Sequence, residues 1–362
     1  MLAPLTLPAL IGAGPVMAAS RAGRQRGYSL VELMVAVAIS LILLVGLATI
    51  FVGNLRSGTE IERANQQIEN GRYAIQLISD DLRNAGQLAT FNPGLLATPI
   101  TKPDPCATDL PTLTLALPIS VQGYDNAATI PTCIVGDVRA GTDILVIRRA
   151  STCAIGDANC DAILAGAPYF QASACNSVTE LLSAAPTSYF TLDTVTANLT
   201  LHQKDCATLA PIYRYRTHIY FVANNDKAGD GIPTLKRAEL GAASFTIVPL
   251  VEGIQNLQIE YGIDTAATST GTPAVYTADP DGYGACAGVT CMAYWRNTVS
   301  AKVSVLARNT GLSTGYTDSK VYYMGQQADG SANTAGPFGD SYRRHLYHAV
   351  VRLNNNAGRN TP

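Results

Sequence analysis

From Leu33 to Gly53 the chain runs 21 residues without a charged side chain. At about 1.5 Å of rise per residue, a helix of that length spans roughly 30 Å, the thickness of a bilayer's hydrocarbon core. The run is read as a transmembrane helix, and the rest of the chain has to be arranged around it. Arg21, Arg24 and Arg26 precede it and the bulk of the chain follows. The positive-inside rule then leaves the N-terminus in the cytoplasm and carries the remainder across. That remainder is predicted to fold, since 47 % of the chain is hydrophobic and only 14 % charged. With 25 Lys and Arg against 27 Asp and Glu the net charge is −2, so no basic field exists to hold nucleic acid. Eight cysteines, all beyond residue 100 and none spaced as CxxC, point to an oxidising compartment.

Glu32 sets this segment apart from a generic anchor. A carboxylate near the start of a membrane helix is costly unless a cation meets it, so a partner is expected. The stretch Gly27-Tyr28-Ser29-Leu30-Val31-Glu32-Leu33-Met34 resembles the processing motif of type IV prepilins and pseudopilins. In that family a membrane peptidase cuts after the glycine and methylates the new N-terminus. The resemblance implies that residues 1–27 are a leader and that Gly27 precedes the cut. It makes Tyr28 the N-methylated first residue of a 335-residue mature chain. It also implies that Glu32 meets the N-terminal ammonium of a neighbouring subunit during assembly. An ordinary signal anchor would leave the register of glycine, hydroxyl residue, carboxylate and arginines to chance. A cleaved secretory signal over Leu2–Val16, cut around Val16-Met17-Ala18, would contain three prolines and lack a basic start. A true start at Met17 gives an eleven-residue basic leader, Met17–Gly27.

Beyond Gly53 the apolar residues thin to a stripe: Ile61, Ala64, Ile68, Gly71, Ile75, Ile78, Leu82 and Ala85, at alternating intervals of three and four. The spacing predicts a helix from Tyr28 to about Ala85, capped near Gly86, with a membrane half over 28–55 and an amphipathic half over 56–86. The stripe is expected to pack on the protein's own head, with an oligomeric coiled-coil seam as the alternative. Gly46, Gly53 and Gly71 are natural weak points of such a helix. The stretches Glu69–Ala74 and Asp80–Gly86 resemble the PilW-type minor pilins specifically. So do Leu257–Asp264 and Trp295-Arg296-Asn297.

Residues 87–211 hold ten acidic and five basic residues and six of the cysteines. They predict a loop-rich lobe of short strands, with Leu113, Leu115 and Leu117 alternating and no evident core. Disulfides are expected to staple it. The nearest-neighbour pairing is Cys106 with Cys133, Cys153 with Cys160, Cys175 with Cys206, and Cys286 with Cys291, one of many connectivities. Residues 212–362 predict an antiparallel β domain. Tyr213, Tyr215, Thr217, Ile219 and Phe221 share a face opposite Arg214, Arg216 and His218, as in a half-buried strand. Asn224–Gly231 turns the chain and Thr234–Glu239 returns it. Further strands are predicted near 245–251, 257–261, 299–306 and 343–353, the last two long enough to be central. The fold class is α+β: a long N-terminal helix, half in the membrane and half packed on an antiparallel β-sheet head, with a disulfide-bearing lobe.

Candidate chemistry is sparse. His345 and His348 are an odd number apart, so on a strand they face opposite ways and cannot share a metal. No phosphate loop, HExxH or GxSxG motif is present, and neither catalysis nor a cofactor is expected. Asn224, Asn225, Asp226 and Asp230, and again Asp279 and Asp281, offer hard oxygens for calcium without EF-hand spacing. Asx-rich turns are the plainer reading of both. Arg343, Arg344 and Arg352 with Tyr342 and Tyr347 would be split between strand faces, and the mature chain balances 22 basic against 27 acidic residues; both argue against nucleic-acid binding. The resemblance implies a structural minor pilin of the inner membrane, with its head periplasmic or carried into the fibre. Its implied partners are the prepilin peptidase, other minor and major pilins, and the inner-membrane pilus assembly machinery. A J-type pseudopilin of a type II secretion system and a tip adhesin are the alternatives.

Overall fold

One α-helix, α1, takes in the 54 residues Leu30–Arg83 in the computed structural model, which describes residues 27–359. The leader arginines, Arg21, Arg24 and Arg26, and Met17 lie outside the described residues. The chain divides into two compact units, Met1–Gly58 and Thr59–Pro362. In the first, every described residue is exposed, the apolar ones included. Among the described helices, α1 is the one long and apolar enough to cross a membrane.

In the second unit α1 buries Gln67, Gly71, Ala74, Ile78, Ser79, Asp81 and Leu82. The predicted stripe therefore packs on the head from Gly71 onward, whereas Ile61 and Ile68 stay 60 % and 45 % exposed. Gln67 takes the buried place beside Ile68 because its amide donates to the Ala307 and Arg343 carbonyls, at 2.9 and 3.0 Å. Gly71 serves contact rather than bending: a Cβ there would lie 2.1 Å from Cε2 of Tyr347. The helix ends at Arg83, and Gly86 closes the turn at φ +71° with its N–H donated to the Arg148 carbonyl.

Leu110–Ala116 forms a short helix, α2, and not the expected strand. The Asp109 carboxylate accepts the Thr112 N–H at 2.9 Å and Pro111 sits in the first turn, a strong helix start. Leu113 and Leu117, four apart, are buried together while Leu115 is 50 % exposed. β1 (Val121–Tyr124), β2 (Ile144–Ala154), β3 (Tyr169–Ala172), β4 (Phe190–Asp193), β5 (Ile212–Ala223), β6 (Thr234–Leu240) and β7 (Phe245–Glu252) make one antiparallel sheet. Stretches 87–211 and 212–362 thus share a sheet. β5 is its hub, pairing with β2, β3 and β6. The expectation of a half-buried β5 fails, since every residue from Thr217 to Ala223 is buried. The polar face is covered because His218 and Tyr220 bond to Asp81 of α1. The lobe is not without a core, one it shares with β5 and β6. Phe91 and Phe170 flank Phe190 at ring separations of 4.5 and 5.7 Å, with Leu113, Leu117 and Tyr215 around them.

The remaining chain adds β8 (Ile254–Ile263), β9 (Val275–Thr277), helix α3 (Val289–Arg296), β10 (Thr298–Arg308), a hairpin of β11 (Tyr322–Gln326) and β12 (Ala332–Ala335), β13 (Arg344–Arg352) and helix α4 (Asn354–Arg359). The second sheet runs β13-β10-β8-β9. β10 is central as expected, but β13 is an edge strand despite its length, pairing with β10 alone. Ala74, Ile78 and Leu82 of α1 meet Ile259, Val303, Val305 and Trp295 in the largest core. The disulfides are Cys106–Cys133, Cys153–Cys160, Cys175–Cys206 and Cys286–Cys291. The two long loops, 27 and 31 residues in separation, restrict the unfolded chain by about 3 to 4 kcal/mol each.

Candidate assembly site and the helix anchor

Gly27, Tyr28 and Ser29 precede α1 without regular structure. Tyr28 is 88 % exposed, and among the described residues nothing beyond the chain neighbours lies within 4 Å of where a Gly27 side chain would begin. Ser29 then starts the helix. Its backbone N–H donates to Glu32 Oε2 at 2.9 Å, and the Glu32 N–H donates to Ser29 Oγ at 3.3 Å. This reciprocal pair is a capping box, which satisfies two of the donors that a helix start leaves open. The carboxylate also lies at the positive end of the helix dipole. Glu32, which sequence reasoning leaves in need of an outside cation, thus has a partner at the start of its own helix.

A second constellation, missed in the sequence, fixes the far end of α1. Asp81 is 5 % exposed. Its Oδ1 accepts Arg149 Nε at 2.6 Å; its Oδ2 accepts the Tyr220 hydroxyl at 2.9 Å and meets His218 Nδ1 at 2.6 Å. Burial alone would push the Asp81 carboxyl up, but His218 and Arg149 outweigh it and hold the group well below its ordinary value. Burial pushes His218 down against the pull of Asp81, and beside an ionised carboxylate its Nδ1 is the donor. Helix, β2 and β5 are joined at one carboxylate. Asp80-Asp81 stood in the sequence as neighbouring acids, and nothing local distinguishes the buried one.

The other candidates fall apart spatially. His202 meets Glu180 at 2.8 Å and His348 meets Ser304 at 2.8 Å, while His345 rests edge-on against Tyr347. Asp230 closes its own turn by accepting the Asp226, Lys227 and Ile232 N–H groups. Asp279 accepts the Asp281 N–H, and Asp281 is held by Lys102 Nζ at 2.5 Å and Trp295 Nε1 at 2.7 Å. An ammonium already stands beside Asp281, where a metal would be expected. Among the described residues no group of three or more His, Cys, Asp or Glu is placed to hold an ion. Arg344 is buried between Asp318 and Asp340, which removes it from any surface patch.

Two family models match the chain. Residues 23–48 match the prokaryotic N-terminal methylation motif, spanning Gly27, Tyr28 and Glu32. Residues 219–355 match the type IV pilus-assembly protein W family, from within β5 into α4. The two matches support a PilW-type pilin with a prepilin-like signature. The PilW-type segment contains Leu257–Asp264 and Trp295–Asn297, while Glu69–Gly86 lies outside both matched ranges. The motif and the single long apolar helix support a membrane-anchored, single-pass protein related to type IV pili. No curated protein and no solved structure matches the chain.

Proposed function

We propose that this PilW-type chain is a minor pilin that initiates type IV pilus assembly, structural rather than catalytic. The observation that carries the reading is an exposed Gly27–Tyr28 junction directly before a capped, membrane-length helix, within a matched methylation motif. A prepilin peptidase cutting there removes residues 1–27 and leaves a methylated ammonium on Tyr28. The apolar run holds the subunit in the inner membrane, head in the periplasm, until it is packed among the helices of other minor and major pilins. Glu32 then exchanges or shares its Ser29 contact with the ammonium of a neighbouring subunit, a charge-assisted bond in a low-dielectric setting. The head supplies the contacts that distinguish this subunit from others.

Electron microscopy of a deletion strain tests the role. Few or no surface pili are expected, with recovery on complementation. Normal pilus counts in the deletion strain would refute initiation. Lost export of a secreted enzyme with normal piliation would reassign the chain to a secretion pseudopilin, and lost attachment alone to an adhesin.

A further inference from the structure

Within the second unit, a pocket of 310 Å³ opens between α1, the loop joining β10 to β11, and the start of β13. Ala64 and Ile68 of α1, with Tyr316 and Tyr347, supply aliphatic and aromatic walls, and Lys320 and Arg343 supply exposed cations. No carboxylate lines it among the described residues. The loop is pinned to the helix: Arg63 Nη1 donates to the Leu312 carbonyl at 2.8 Å, and Ser313 Oγ donates to Glu60 Oε2 at 2.6 Å. Leu312 and Val321, on the same loop, stand 57 % and 58 % exposed.

The charges around this pocket do not balance. Arg344 lies behind it, its side chain fully buried between Asp318 and Asp340. Arg343, half-exposed, has only a share of Glu60: its Nε lies 3.6 Å from Oε2, while Oε1 accepts Arg63 Nη1 at 3.0 Å. The Lys320 backbone N–H donates to Asp318 Oδ1, and its ammonium has no partner among the described residues. Four cations, Arg63, Lys320, Arg343 and Arg344, therefore answer three carboxylates, Glu60, Asp318 and Asp340, and one positive charge is left at an accessible rim. A single monovalent anion on a largely apolar body satisfies both the charge and the walls. A phosphodiester is such an anion, recognised by Arg and Lys, and tyrosines collect at the headgroup layer of a bilayer. The chain also keeps a bilayer near. Ala64 follows Gly53, the end of the uncharged run, by eleven residues, so the two are at most about 40 Å apart whatever the course of the chain between them.

We propose that this pocket receives the phosphodiester headgroup of an anionic phospholipid, with Lys320 and Arg343 on the phosphate and Tyr316 and Ile68 against the glycerol and the upper acyl chain. The site rests on the membrane anchor and not on the assembly role. The test places the full chain in nanodiscs of phosphatidylcholine alone and of phosphatidylcholine mixed with phosphatidylglycerol, and reads amide hydrogen exchange by mass spectrometry. Exchange over residues 316–320 and 343–347 should slow about fivefold with phosphatidylglycerol, the weight of one cation at an anionic surface, and stay unchanged in the lobe over 195–198. Lys320→Gln, at an exposed position that leaves the core intact, should return exchange to its rate in phosphatidylcholine alone, and Lys320→Arg should keep the slowing. Equal rates in the two discs, or a slowing that survives Lys320→Gln, overturns the proposal. So does an equal slowing in phosphatidylcholine discs when inorganic phosphate or an Asp-rich peptide is added to the buffer, which would assign the pocket to a free anion or to an acidic protein segment.

Discussion

Asp81 shows how much one carboxylate can organise. Its three partners lie 68, 137 and 139 residues away along the chain, so removing its charge leaves Arg149, among the described residues, with the Ala150 carbonyl as its one acceptor and no counter-ion. Leaving a buried charge unpaired costs about 3 to 5 kcal/mol, and Asp81→Asn should lower the unfolding free energy by that order in denaturant titrations of the detergent-solubilised protein. An unchanged midpoint would show that the cluster contributes no net stability. The same cluster gives stability a pH dependence whose sign is fixed by His218. Its folded pKa lies below the ordinary 6.5, so the unfolded chain takes up a proton that the folded chain resists. The resulting stabilisation is present above pH 6.5 and is lost as the pH falls through the lowered value. Asp81, also lowered, adds a loss in stronger acid, below its ordinary 3.8. Thermal unfolding between pH 7 and 5 should therefore show a falling midpoint, with a shallower fall in His218→Gln. Equal slopes in the two proteins would exclude His218 as the cause.

At the level of elements, much of the fold could be read from periodicity, and the failures share one cause. Heptad spacing located the packed part of α1, and period-two runs located β5, β6, β7, β8, β10 and β13. What periodicity does not carry is neighbourhood. β13 is as long as a central strand yet pairs on one side alone, and β5 reads as half-buried until α1 covers its polar face. Over Leu113–Leu117 the alternation is real, but the capping residue Asp109 and Pro111 decide for helix. Gly71 is another case: as a sequence feature it marks weakness, whereas in the fold it admits the Tyr347 ring against the helix. Gly71→Ala should gain about 1 kcal/mol of helix propensity yet be destabilising overall, by about 1 to 3 kcal/mol, because the ring cannot accept a methyl group at 2.1 Å. Combining it with Tyr347→Ala should recover part of that loss in a double-mutant cycle. A stabilised single mutant would mean that the ring moves aside freely.

For the whole molecule, the candidate site was legible where its parts are contiguous in the chain, from Gly27 to Glu32, and illegible where folding assembles it, as at Asp81. The capping box nevertheless changes what Glu32 has to explain. A carboxylate that starts its own helix does not by its presence demonstrate a bond to another subunit, and the two roles must be separated by chemistry. Glutamine serves the third helical position of a capping box as well as glutamate does, but it carries no charge with which to form an ion pair with an ammonium. Glu32→Ala removes both roles and Glu32→Gln removes only the charge. Both variants should insert in the membrane and be cut after Gly27, since the apolar run and the exposed junction are untouched; mass spectrometry of the mature N-terminus checks this. If the charge acts in assembly, pilus counts should fall in both strains to a similar degree. If capping is the whole role, the glutamine strain should be piliated like the parent while the alanine strain is not. Parental pilus counts in Glu32→Gln would remove the inter-subunit ion pair from the proposed mechanism and leave the helix start as the reason for the glutamate.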